Sequence, residues 1–80
     1  MKLAAYLKKH QLSQANFARK FKPPVTQGAV WQWLSWLEDP DAEGMARITA
    51  ERAIEIEEIT KGEVARHDLR PDLFSRVRAA

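Results

Sequence analysis

The sequence predicts an all-α protein, a small bundle of four to five short helices. Three observations predict it. Apolar residues recur three and four positions apart, the period of a helix face. Ser13, Thr26 and Thr49 each stand just before a run of helix-forming residues, where a hydroxyl can cap the first turn. Strand signals are nearly absent, and no Asn-Gly or Asp-Gly pair marks a hairpin.

Each helix has its own local signals. Residues 2–9 carry Leu3, Tyr6 and Leu7, an apolar stripe with lysines elsewhere, and read as a short amphipathic helix. Ser13 caps a second helix, with Leu12 and Phe17 placed as a hydrophobic staple. That helix is expected to stop at Phe21 or Lys22, because Pro23 disfavours helical backbone at Lys22. Thr26 caps a third helix, from Gln27 to about Leu37, with Val25 and Val30 as its staple. Residues 38–44, EDPDAEG, read as an acidic loop. Thr49 caps a fourth helix, with Ile48 before it and Glu51 well placed against the helix dipole. It should end near Gly62, read as the C′ glycine. EVARHDLR gives a last short helix, which Pro71 terminates. Residues 1–74 form one domain, and residues 75–80 read as a flexible tail.

Composition excludes several classes. The 80 residues are 45% apolar and 30% charged, which suits a small folded domain. There is no cysteine, hence no disulfide, thiolate chemistry or sulfur-ligated zinc, and a reducing cytosol fits. No apolar run approaches a membrane span, and MKLAAYLKKH is too short and too amphipathic for a secretory signal. Net charge is only +2, but its distribution is uneven. Residues 1–37 hold six Lys or Arg and no acid, whereas residues 38–63 hold nine acids and three bases. A long acid-free half points to a cationic face for a polyanion.

The second and third helices, joined by a short turn, make a helix-turn-helix, in which the second helix enters the DNA major groove. Ala18 is small where the helices cross, Val25 plugs the turn into the core, and Ala29 and Val30 face back toward the first helix of the pair. On a helical wheel Val30, Trp33, Leu34 and Leu37 share the core side, while Gly28, Trp31, Gln32 and Ser35 lie opposite. Gln27 sits at the N-terminal edge. The three tryptophans therefore separate by role: Trp33 is core, Trp31 is outward and Trp36 is a boundary residue.

Gln27 and Gln32 are the base-reading candidates, since a glutamine amide can pair with adenine N6 and N7. Gly28 lets the helix approach closely, and Trp31 can meet a thymine methyl or a sugar. Candidate backbone contacts are Lys8, Lys9, Arg19, Lys20 and Lys22 through charge, and Gln14 and Ser35 through hydrogen bonds.

"VTQGAVWQWL" followed by "ITAERAIEIEEITKGEVARHDLRPDLF" resembles the Cro-like and YdaS-like regulators of temperate phages and prophages. That group combines a V-[ST]-x-G-A-[VI]-x-Q-W-[LI] recognition helix, a P/T-A-E-R helix and an L-R-P-D-[LIV]-F ending. The resemblance spans about residues 12–74 and implies a lambda-repressor-like DNA-binding domain. It implies a repressor in the bacterial host cytosol, bound as a dimer to a two-fold symmetric operator. Thr26, Gln27, Gly28, Trp31 and Gln32 fall at its DNA-reading positions, and Gln14 at its phosphate position. Two departures stand out. The turn Lys22-Pro23-Pro24-Val25 is longer and stiffer than usual, and an acidic link replaces a short basic one. The acidic loop is expected to point away from DNA. Trp31 also replaces a residue that is often small and polar in relatives.

An enzyme is not expected. His10 and His67 lie in different segments without evident partners, and Glu55, Glu57 and Glu58 read as a solvated helix face. His67 and Asp68 diverge too far for a metal site and read as ordering the last turn. No cofactor or metal is expected. The alternative is an antitoxin of a YdaS-type pair, binding a toxin partner protein with Trp31 and Trp36 as anchors as well as binding DNA. One helix in one groove is a small interface, so a homodimer is expected, with Trp36, Ile54, Ile59, Leu73 and Phe74 as its candidate contacts.

Overall fold

Three hydroxyls begin three of the helices. Ser13 Oγ accepts from the Asn16 N–H at 3.0 Å, Thr26 Oγ1 from Ala29 at 3.1 Å, and Thr49 Oγ1 from Arg52 at 3.1 Å. Each satisfies a backbone donor that the helix itself leaves open, a contribution of about 1 kcal/mol per cap. The computed structural model describes residues 1–41 and 47–74. Five helices lie among them: α1 (Leu3–Lys9), α2 (Gln14–Ala18), α3 (Gln27–Glu38), α4 (Ala50–Ile59) and α5 (Arg66–Leu69), with no strand among the described residues. None is long and apolar enough to cross a membrane. The expected tail, 75–80, and part of the acidic loop, 42–44, lie outside the described residues.

Four aromatic rings run as a chain through the core. Tyr6 of α1 meets Phe17 of α2 with ring centroids 6.2 Å apart, Phe17 meets Phe21 at 5.4 Å, and Phe21 meets Trp33 of α3 at 5.5 Å. The Arg52 guanidinium of α4 lies 5.4 Å from the ring centroids of both Phe21 and Trp33, a cation–π contact that ties α4 to the turn and to α3. Leu3, Leu7, Ala18, Val30, Ile48, Ala53, Ile56, Val64 and Leu69 fill the remaining buried apolar positions. The apolar stripe of the first ten residues is buried as its spacing requires.

Two helix ends differ from expectation. The second helix stops at Ala18 rather than at Phe21 or Lys22. Beyond it the chain tightens, with Lys20 N–H bonded to Phe17 O at 3.0 Å, and the Val25 N–H takes the Ala18 carbonyl at 3.1 Å. The helix therefore yields before the prolines force it to. At the end of α4 the C′ residue is Lys61 (φ 55°), with Gly62 (φ 84°) one place further on. Gly62 N–H reaches Glu57 O at 2.8 Å and Lys61 N–H reaches Glu58 O at 3.1 Å, a Schellman motif whose left-handed residue is a lysine. The same motif closes α1: Gln11 (φ 53°) donates to Lys8 O at 3.2 Å and Leu12 to Leu7 O at 2.9 Å.

Thr60 is the buried polar residue of the core. Its hydroxyl donates to Ile56 O at 2.9 Å, and its oxygen accepts from the Val64 N–H at 3.1 Å. One side chain thus closes α4 and carries the chain into α5. Asp68 orders that last helix: its carboxylate accepts from the Ala65 N–H at 3.1 Å and from the Met1 ammonium at 2.8 Å.

Candidate nucleic-acid interface

The α2–turn–α3 pair has the packing that a helix-turn-helix needs. Ala18 and Val30 are buried, Val25 and Ala29 are half-buried, and the Val25–Ala18 backbone bond closes the turn. Small and β-branched residues at these places let α3 seat on α2 without displacing its backbone.

Exposure along α3 is graded. Thr26, Gln27, Gly28 and Trp31 are exposed, with Trp31 at 51%. Gln32 and Ser35 are half-buried, and Trp33 is 5% exposed. The sequence places Leu34 and Leu37 in the core; both are only half-buried, because they border an open groove of about 420 Å³ shared with Lys2, Leu3, Ala4, Glu38 and Asp68. The Trp36 ring is half-buried, with the Arg70 guanidinium 5.5 Å from its centroid. Arg70 is itself held by Ile48 O at 2.7 Å and by both oxygens of Asp72 at 3.0 and 2.7 Å. So the face α3 leaves open is the outer side of its first five residues and its cap.

Thr26 caps α3 as the sequence predicts. Its Oγ1 accepts from Ala29 N–H, which leaves the hydroxyl proton free to donate outward. Gln14, at the start of α2, is half-buried.

The candidate cations differ in availability. Lys8, Lys20 and Lys22 are exposed and form no ion pair among the described residues. Arg19 reaches Asn16 Oδ1 at 3.4 Å. Lys9 is engaged: its Nζ bonds Glu63 Oε1 at 2.6 Å, and His10 Nε2 lies 3.0 Å from Glu63 Oε2. The Lys9 bond, then that of His10, holds the Glu63 carboxyl below the usual carboxylate range. His10 also packs on Tyr6, with centroids 4.5 Å apart. The expectation that His10 lacks a partner is thereby corrected; no sequence signal links positions 53 residues apart.

Two further expectations change. Glu57 is no solvated surface acid: it accepts from the Arg66 N–H at 2.9 Å, Nε at 2.9 Å and Nη2 at 2.7 Å. Those Arg66 bonds lower its pKa. Glu55 pairs with Arg52, the arginine stacked on Phe21 and Trp33.

The acidic segment begins where α3 ends. Glu38, Asp39 and Asp41 are exposed. At 1.5 Å per residue, Glu38 lies about 16 Å along the axis from Gln27, roughly two Debye lengths at physiological salt. Repulsion from these acids is therefore weak at the exposed end of α3. Of the residues expected at a dimer contact, Leu73 is 51% exposed, whereas Trp36, Ile59 and Phe74 are half-buried against the protein's own core and Ile54 is half-buried. The Arg66 guanidinium lies 5.5 Å from the Phe74 ring centroid.

A family model described as bacterial toxin YdaS matches residues 12–78. That span contains α2 to α5, including the whole helix-turn-helix. No curated protein and no solved structure matches the chain.

Proposed function

The chain belongs to the bacterial toxin YdaS family, and from that premise we propose that it is a sequence-specific regulator that binds double-stranded DNA with the N-terminal half of α3. The observation that carries this reading is the exposure gradient on α3. The cap, Gln27, Gly28 and Trp31 are exposed, whereas Gln32 to Leu37 are buried or half-buried. Recognition helices present their N-terminal residues to base edges in the same way.

In this reading Gln27 and Gln32 pair with adenine edges, each worth ~1–3 kcal/mol of discrimination. Trp31 lies between them on the exposed side. The Thr26 hydroxyl and the first-turn N–H groups of α3 meet phosphate. Lys8, Arg19, Lys20 and Lys22 supply charge without first breaking an ion pair, whereas Lys9 must exchange Glu63 for phosphate. The module is small, so a Cro-type repressor working as a homodimer on a two-fold symmetric operator is the form that gives tight binding.

A second reading is favoured by the family's description and by the exposed indole of Trp31: membership of a toxin–antitoxin pair, acting through a protein contact. The description is of a toxin, so the partner in this reading is an antitoxin, where the sequence alone suggested the reverse. Trp31 is the stronger anchor of the two tryptophans, since Arg70 covers Trp36.

A salt titration of DNA binding with the Gln27→Ala, Gln32→Ala and Trp31→Ala variants separates the readings. The regulator reading expects steep salt dependence and loss of sequence preference in the glutamine variants. Sequence-blind binding that ignores both glutamines, with a protein complex lost on Trp31→Ala, supports the second.

A further inference from the structure

Gly28 is unexplained by the fold. It occupies the second position of α3, inside a regular helix, where glycine is the poorest choice after proline. Its backbone does not need glycine, because among the described residues the glycine with positive φ is Gly62. Its surroundings do not need glycine either. A Cβ built there meets only Thr26 Oγ1, at 3.8 Å, an ordinary van der Waals distance. Alanine would fit the free protein and would favour the helix.

The neighbour on the next turn is equally unexplained from within. Trp31 is 51% exposed, although the other two tryptophans are buried or half-buried. Residues three apart on a helix are surface neighbours, and helical side chains lean toward the N-terminus. The indole is therefore the next-turn neighbour of bare backbone at Gly28, and a Cβ built at Gly28 would have no atom of the ring within 4 Å. The outer side of this turn therefore carries one exposed apolar ring and, at Gly28, no side chain.

What meets this surface depends on the DNA-binding reading, on which the inference rests. In the major groove each base pair displays hydrogen-bond donors and acceptors, and the one apolar group on view is the thymine C5-methyl. The apolar face of an exposed indole gains most from burial against such a methyl, since its one hydrogen-bonding group is the ring N–H. We propose that Gly28 and Trp31 together form a seat for the C5-methyl of a thymine. This makes the pair a specificity determinant separate from the hydrogen-bonding glutamines. Gln27, beside Gly28 in sequence, can then read an adjacent adenine, so the two contacts report neighbouring base pairs.

The test uses the full chain and a duplex recovered from a random pool, with each thymine replaced in turn by deoxyuridine, which lacks only the methyl. At one thymine per half-site the wild-type protein should lose about fourfold in affinity, the worth of one buried methyl. Gly28→Ala should fill the seat: binding weakens, and the thymine and deoxyuridine duplexes become equivalent. Trp31→Ser should abolish the same preference by removing the ring. Thermal unfolding guards against a trivial loss, since Gly28→Ala should melt at the same temperature or higher. If the wild type binds its duplex specifically but ignores every uridine replacement, the seat is refuted and the DNA reading stands. If Gly28→Ala keeps the full methyl preference, the seat is likewise refuted. If no duplex is enriched at all, both fall together.

Discussion

The backbone N–H of Val25 donates to the carbonyl of Ala18 at 3.1 Å, across the loop that holds both prolines. This bond sets where α3 starts relative to α2, and hence where its open face points. Ala18 is 2% exposed at that junction. Ala18→Leu should force the helices apart and cost about 1–3 kcal/mol, read as a lower denaturant midpoint. An unchanged midpoint would mean that the junction has room to spare.

The Thr60 hydroxyl is a second buried constraint. Thr60→Val keeps the shape but leaves the Val64 N–H without its acceptor, and should cost about 1–3 kcal/mol. Thr60→Ser keeps the oxygen and should cost less. A loss in Thr60→Ser with none in Thr60→Val would assign the effect to the methyl group instead.

Left-handed backbone gives a prediction of opposite sign. Lys61 has φ 55°, a conformation that side chains other than glycine adopt at some cost. Lys61→Gly should raise stability by roughly 0.5–1 kcal/mol, whereas Gly62→Ala, at φ 84°, should lower it. Both are measured by chemical unfolding, and a destabilised Lys61→Gly would contradict the assignment of the motif.

Acid should loosen the packing of α5. Glu57 is lowered by its bonds from Arg66. For Asp68, burial pushes the pKa up, but bonds from the Met1 ammonium and Ala65 N–H outweigh it, and the net direction is down. Carboxylates lowered in the folded state stabilise it fully above their unfolded pKa values, near 4, and lose that contribution as pH falls through the folded values. Thermal midpoints should therefore be flat above about pH 5 and fall below about pH 4, with a shallower fall in Glu57→Gln. A Glu57→Gln profile that matches the wild type would show that Glu57 has no part in the acid response.

Much of this architecture was legible in the sequence. The three hydroxyl caps, the α1 stripe, the exposure of Trp31 and the burial of Trp33 followed from local rules of spacing and capping. What was not legible depends on pairs far apart in the chain. Lys9 with Glu63, Met1 with Asp68, and Arg70 with Ile48 have no periodicity to announce them. The C′ position falling on Lys61 rather than on Gly62 is of another kind: both residues are left-handed, and the hydrogen bonds choose the position. Among the candidate cations, nothing in the sequence separates Lys9 from Lys8, and the pairing of Lys9 with Glu63 does.

That separation is measurable. Lys20→Ala and Lys22→Ala should each reduce the salt slope of DNA binding by about 0.9 where the side chain meets a phosphate. Lys9→Ala should reduce it less, because its partner in the free protein is Glu63. A larger slope change for Lys9 than for Lys20 and Lys22 would show that the Glu63 pair opens without cost.

Whether α3 reads DNA sequence is decided by selecting bound duplexes from a random pool. The expected result is a defined consensus of two symmetric half-sites, each with adenine and thymine at the positions read by α3. The Gln27→Ala, Gln32→Ala double variant should lose that consensus. No enrichment, or the same consensus recovered by the double variant, would contradict sequence reading by this helix.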